Sequence, residues 1–173
     1  MKKIFLSLFA MIAIGLHAQN KMNIFNYTAY NLSNFLVGSD QTNNCIPNIS
    51  GTNYPVMVPP MGAVTYNGYY NSHLQSPPIN TWTVQINPTT TLPPQAPTSP
   101  LLISLGSVTK WQMNKFFVDD PSGAPLYYSG ASIGMIGCNT PIISTLTPTA
   151  AQPFPFNAFW FDVGTDTYFI IQP

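Results

Sequence analysis

The chain has 173 residues, 45% of them hydrophobic and only 6% charged, with five basic and five acidic side chains. It contains no arginine and no glutamate. Nucleic-acid binding needs cations to neutralise phosphates and arginine forks to read bases, so it is excluded, as is a polybasic membrane-surface role.

The first segment reads as an export signal. Lys2 and Lys3 precede the apolar run Ile4–Leu16, and the small residue Ala18 stands before Gln19, the charged, apolar and cleavage order of a secretory signal peptide of bacterial type. Cleavage after Ala18 takes 18 of the 173 residues and leaves 19–173, a length suited to one domain. That remainder keeps three lysines against five aspartates, a formal charge of −2, and His73 as its only histidine. No later apolar run approaches the ~20 residues of a membrane-spanning helix, so no transmembrane segment is expected after signal removal. The expected destination is the cell surface or the extracellular space, with the periplasm as the alternative. Such compartments favour pairing of the two cysteines, and a Cys45–Cys138 disulfide is expected.

Met22–Thr28 and Leu32–Val37 read as strands separated by Asn31. Ala63–Asn67 alternates through Val64 and Tyr66, and Thr81–Ile86 places Trp82, Val84 and Ile86 on one face, the period-two signature of a half-buried strand. Asn87–Pro100 carries five prolines and no charge; it reads as a long, proline-stiffened loop within a single all-β domain. Leu101–Leu105, apolar at every position but Ser104, has the length of a strand buried on both faces. In Val108–Val118 the apolar phase switches between Trp111 and Phe116, and a bulge near Asn114 would restore it. Phe156–Val163 and Thr167–Gln172 flank Gly164-Thr165-Asp166, the clearest hairpin. Frequent prolines leave little room for long helices. The expected architecture is an antiparallel β-sandwich with long proline-rich loops, the alternative being a small β-barrel.

Catalytic motifs are few. Gly130-Ala131-Ser132-Ile133-Gly134 fits G-x-S-x-G, yet no histidine follows it in the chain, as the hydrolase order requires; a glycine-rich turn between strands explains the same residues. His73 lacks nearby carboxylates. Asp119 and Asp120, with Pro121-Ser122-Gly123, read as a turn. Asp162 and Asp166 flank the last hairpin and read as solvated turn residues. One histidine and two cysteines cannot build a multi-ligand His/Cys metal centre, and no cofactor is implied. The Asn-x-Ser/Thr sequences at Asn26, Asn31 and Asn48 read as coincidences of an Asn- and Thr-rich chain.

Aromatic residues with a polar handle suit binding patches. Tyr69, Tyr70, Trp111, Tyr127, Tyr128 and Trp160 are the candidates for stacking a ligand, with Trp82 assigned to the core and two tryptophans expected buried for each one exposed. These observations predict an exported, non-catalytic structural or adhesive protein whose weakly charged surface favours self-association or contact with a surface glycan or protein. A carbohydrate-binding module using exposed aromatics is the alternative. A small hydrolase around Ser132 or His73 is the third class, and an enzyme is not expected.

Overall fold

Alternation along the chain becomes two apolar sheet faces turned toward each other. The computed structural model describes residues 20–52, 57–135, 137 and 142–173. Among these, the strands are β1 (Met22–Asn26), β2 (Asn31–Ser39), β3 (Asn48–Gly51), β4 (Ala63–Tyr66), β5 (Trp82–Asn87), β6 (Thr90–Thr91), β7 (Lys110–Asp119), β8 (Gly130–Gly134), β9 (Thr145–Leu146), β10 (Asn157–Val163) and β11 (Asp166–Gln172). One sheet has the order β4-β1-β11-β10-β9 and the other β6-β5-β3-β2-β7-β8. The fold is an all-β sandwich. Neither sheet closes on itself, which sets aside the barrel alternative. Every ladder is antiparallel except β1 on β11.

Ile24, Trp160, Phe169 and Ile171 from the first sheet meet Leu32, Leu36, Trp82, Val84 and Phe116 from the second in one buried cluster. Phe116 of β7 touches Phe169 of β11 across the layers, with ring centroids 4.9 Å apart. Large rings dominate such a core because each removes so much apolar surface from water. At one end Tyr69 sits edge-on to both Trp82 and Trp111, at 4.9 Å from each. Two buried asparagines interrupt the apolar layer, and they satisfy each other: Asn114 Nδ2 donates to Asn34 Oδ1 at 2.7 Å, while Asn114 Oδ1 accepts from the Phe35 amide at 3.1 Å.

Several expectations need correction. Leu101–Leu105 is not a strand; it lies in α1 (Pro100–Gly106), with proline in the first turn, where its missing amide hydrogen costs nothing. Leu102 is buried and Leu101 and Leu105 pack on the core, whereas Ile103 and Ser104 face out, a helical spacing that so short a segment conceals. The bulge in β7 exists, but two residues before Asn114. Val37 pairs with Met113 and Gly38 with Trp111, so Gln112 is the extra residue, and it swaps the inward phase from Trp111 to Asn114, Phe116 and Val118. Residues 87–100 are only partly loop, because Leu92 and Gln95 return along β5 through backbone bonds to Val84 and Trp82. Gly130–Gly134 is a strand and not a turn. A Cβ at Gly130 would come within 2.5 Å of the Phe116 carbonyl oxygen, and one at Gly134 would meet the Gln112 carbonyl, so both glycines let β8 lie close on β7.

Candidate functional site: the outer face of the five-stranded sheet

Strands with one face in a core and one in water normally alternate apolar and polar residues. β10 and β11 do not. Ala158 and Trp160 of β10 point inward, yet Phe159, Phe161 and Val163 occupy the outward positions. Phe169 and Ile171 of β11 are buried, and Tyr168 and Ile170 take the outward positions. In β1, Ile24 and Asn26 point in, leaving Phe25 outward, with Tyr27 just beyond the strand. The register then gathers these side chains. Phe161 lies opposite Tyr168, Phe159 opposite Ile170, and Ile170 beside Phe25.

The result is a ladder of rings across three strands. Tyr27 and Phe25 are 5.9 Å apart with planes 13° from parallel, Phe25 and Tyr168 6.4 Å at 5°, and Phe161 and Tyr168 5.4 Å at 5°. Phe161 and Tyr168 are too close to lie side by side in one plane. They stack with their planes nearly parallel and offset from one another. Tyr27, Phe161 and Val163 remain 45%, 40% and 59% exposed. Among the described residues, the only ion pair at this sheet is at its rim, where Lys21 Nζ lies 4.0 Å from Asp166 Oδ2. A contiguous apolar patch of this size is unusual on a solvated surface.

No protein-family model, curated protein or solved structure matches this chain.

The side chains expected to stack a ligand divide sharply. Tyr69, Trp111 and Trp160 are core residues, at most 4% exposed, which corrects the stacking expectation for all three. Trp82 is buried as well, so every tryptophan is in the core instead of one in three being exposed. Trp111 donates its indole hydrogen to the Asn20 carbonyl, at 2.7 Å. Tyr70, Tyr127 and Tyr128 reach the surface, Tyr127 most of all at 84% exposure. Tyr127 sits edge-on to Tyr128 at 4.6 Å, and the Tyr128 hydroxyl donates to the Ala151 carbonyl at 2.9 Å. Next to this pair is a shallow depression of about 230 Å³, lined in part by Asp119, Asp120, Pro125 and Leu126. The Ser122 hydroxyl and then its amide donate to Asp120 Oδ1, at 2.6 and 2.8 Å, and hold that carboxyl below its usual range.

The catalytic candidates are dispersed. Ser132 is exposed in β8 opposite Lys115, whereas His73 lies in the single 3-10 turn Ser72–Leu74 after β4. Asp162 accepts from the Thr167 hydroxyl at 2.8 Å. Among the described residues, no group of three or more His, Cys, Asp or Glu side chains comes together as a set of metal ligands, and no helix is long and apolar enough to cross a membrane. Cys45 is buried, and Gln112 Nε2 approaches its sulfur at 3.2 Å. Its expected partner Cys138 lies outside the described residues, as does the signal segment 1–18. Asn26 is fully buried, with its amide donating to the carbonyls of Tyr30, Val58 and Pro59, so in the folded chain it cannot accept a glycan.

Sequence reasoning missed Phe25, Tyr27, Phe159, Phe161, Tyr168 and Ile170, because apolar and aromatic residues within strands are assigned to a core by default. The signal was present as a failure of alternation. Ala158–Phe161 and Tyr168–Ile171 are apolar at every position, and a strand at a solvated sheet surface has no need of that.

Proposed function

We propose that this chain is an exported, non-catalytic structural or adhesive protein that works by surface association through the outer face of its five-stranded sheet. The observation that carries the reading is the ladder Tyr27–Phe25–Tyr168–Phe161, apolar and uncharged, standing exposed on ordered strands. Rigid strands present the rings without the ordering cost of a loop, and that preorganisation favours binding. Substituting Phe161→Asp places a carboxylate in the middle of the patch while leaving the buried face untouched. Retention of the exported protein on cell surfaces or polysaccharide should then fall at least about tenfold, the effect of losing one contact worth ~1.4 kcal/mol. Retention equal to that of the unmodified chain would overturn the reading.

A second reading, a carbohydrate-binding module, is favoured by Tyr127. Its ring is open to solvent beside a depression bearing two carboxylates, and sugars are held by ring faces together with hydrogen-bond acceptors. A glycan array separates the two, since Tyr127→Ala abolishes binding under the second reading and leaves it intact under the first. Export itself is supported by the Lys2-Lys3 to Ala18 pattern. The proposed Cys45–Cys138 bridge would close 93 residues, the difference between the two positions, and contribute roughly 4–5 kcal/mol in the chain-entropy account. Mass spectrometry of the exported protein should find Gln19 as its first residue and no alkylatable thiol. Two free thiols would remove the bridge from the proposal.

A further inference from the structure

We infer that the partner for this aromatic face is the same face of a second copy of the chain, so that two five-stranded sheets pack back to back about a two-fold axis. The inference rests on the reading of that face as an association surface, and it names the occupant.

Three features select a second copy. The first is charge. The outward positions Asn23, Phe25, Thr65, Phe159, Phe161 and Tyr168 are all uncharged, and charge is confined to the rim, where Lys21 lies beside Asp166 and Asp162 accepts from the Thr167 hydroxyl. An acidic or basic partner finds no complementary field here, whereas an identical face brings no like-charge repulsion. The second is ring orientation. Tyr168 stacks between Phe161 and Phe25, at 5.4 and 6.4 Å with planes 5° from parallel, so its ring has a neighbour on each side. A sugar stacks on an open ring face. Rows of side chains along strands instead form ridges, and another twisted sheet with the same side-chain spacing offers the matching grooves, as between the layers of a sandwich. Edge-to-face contacts between rings are themselves favourable.

The third is area. The exposures of Tyr27, Phe161 and Val163, at 45%, 40% and 59%, together with half-buried Phe25, Phe159, Tyr168 and Ile170, amount to on the order of 500 Å² of apolar surface, at the upper end for one patch on a monomer. Covering it from both sides removes roughly 1,000 Å² from water, near the lower bound for a specific interface. The expected species is therefore a weak, reversible dimer, dissociating in the micromolar range.

Two-fold symmetry makes each substitution count twice, since both copies contribute the same residue. Sedimentation of the exported protein over a wide concentration range should show a monomer–dimer equilibrium that salt changes little. Phe161→Asp should raise the dissociation constant at least about 100-fold, because it brings two unpaired carboxylates to a desolvated surface. Ser132→Ala, on the other sheet, should leave it unchanged. Hydroxyl-radical footprinting of the unmodified chain supplies a measurement that needs no variant. Tyr27, Phe161 and Tyr168 should lose reactivity in the concentrated sample relative to the dilute one, and Tyr127 should not. A chain that stays monomeric at every concentration overturns the inference, as does a dimer whose three rings keep their full reactivity. If the chain is monomeric but Phe161→Asp still abolishes retention on a surface, the second copy is refuted and the association face survives. Loss of neither property in the variant removes both.

Discussion

Gly38 and Tyr69 form the tightest contact that a substitution can probe. A methyl group at Gly38 would collide with the Tyr69 hydroxyl oxygen, lie 2.9 Å from its ring carbon Cζ and stand 3.2 Å from the Lys110 carbonyl. A tyrosine tip elsewhere would swing aside. Here the ring is wedged between Trp82 and Trp111, and its hydroxyl is 3.1 Å from the Thr109 hydroxyl. Gly38→Ala therefore forces either the ring or two strands apart. Overpacking costs about 1–3 kcal/mol, and disturbing the two edge-on contacts and the hydrogen bond adds roughly 1–2. The loss of backbone freedom in the unfolded chain returns about 0.4–1. The expected net destabilisation is ~2–4 kcal/mol. Tyr69→Phe alone should cost about 1 kcal/mol, since Thr109 keeps its own bond to the Leu105 carbonyl at 2.8 Å. Removing the hydroxyl also removes the first atom the new methyl meets. The double variant should thus be less destabilised than the sum by at least about 1 kcal/mol, read from urea denaturation of all four proteins. Additivity within about 0.5 kcal/mol would refute the steric account.

Asn26→Ala strips the hydrogen-bond donor from three carbonyls and should cost roughly 2–4 kcal/mol in the same assay; Asn26→Asp should be no better at neutral pH, because a carboxylate has no hydrogen to donate there. Burial pushes the Tyr66 phenol above the ordinary tyrosine range, and its neutral form donates to the Pro77 carbonyl at 2.7 Å. A folded pKa above the unfolded one means that this contribution is complete below about pH 10 and is lost as pH rises beyond it. Spectrophotometric titration should find Tyr66 ionising only as the fold is lost, and Tyr66→Phe should flatten the alkaline decline in stability. Ser132→Ala and His73→Ala should each leave surface retention unchanged; loss of a measurable hydrolytic turnover in either would place chemistry where we propose none.

How much of this was legible depended on the range of the signal. The hairpin from β10 to β11 is written locally in Gly164-Thr165-Asp166, and Gly164 takes the left-handed φ of 63° that the turn demands. Inward Trp82 and Val84 follow from period two alone. α1 is hard to read locally because four apolar residues around Ser104 fit a short helix and a buried strand about equally, and Pro100 before them suits a loop as well as a helix start. The bulge was visible as a phase change, but its position depends on which residue of β2 faces which of β7, and nothing local encodes that. For the site, the outward rings of β10 and β11 were hidden by the strands' own hydrophobicity. An apolar residue is assigned to a core by default, and only the second sheet's position shows which face already has one.

The parallel pairing of β1 with β11 sets the timing of folding. β1 lies between β4 and β11, and its neighbour β11 is the last strand of the chain, so Met22 pairs with Thr167 across nearly the whole sequence. While the chain is being made, β1 can find β4 but has an open side along its full length. The first sheet has no middle until residues 166–172 emerge. Contacts so distant in sequence are slow to form, since a long loop must close before any bond repays it. The ring ladder Tyr27–Phe25–Tyr168–Phe161 draws on β1 and on the β10–β11 hairpin, so it assembles only once residues far apart in sequence have met.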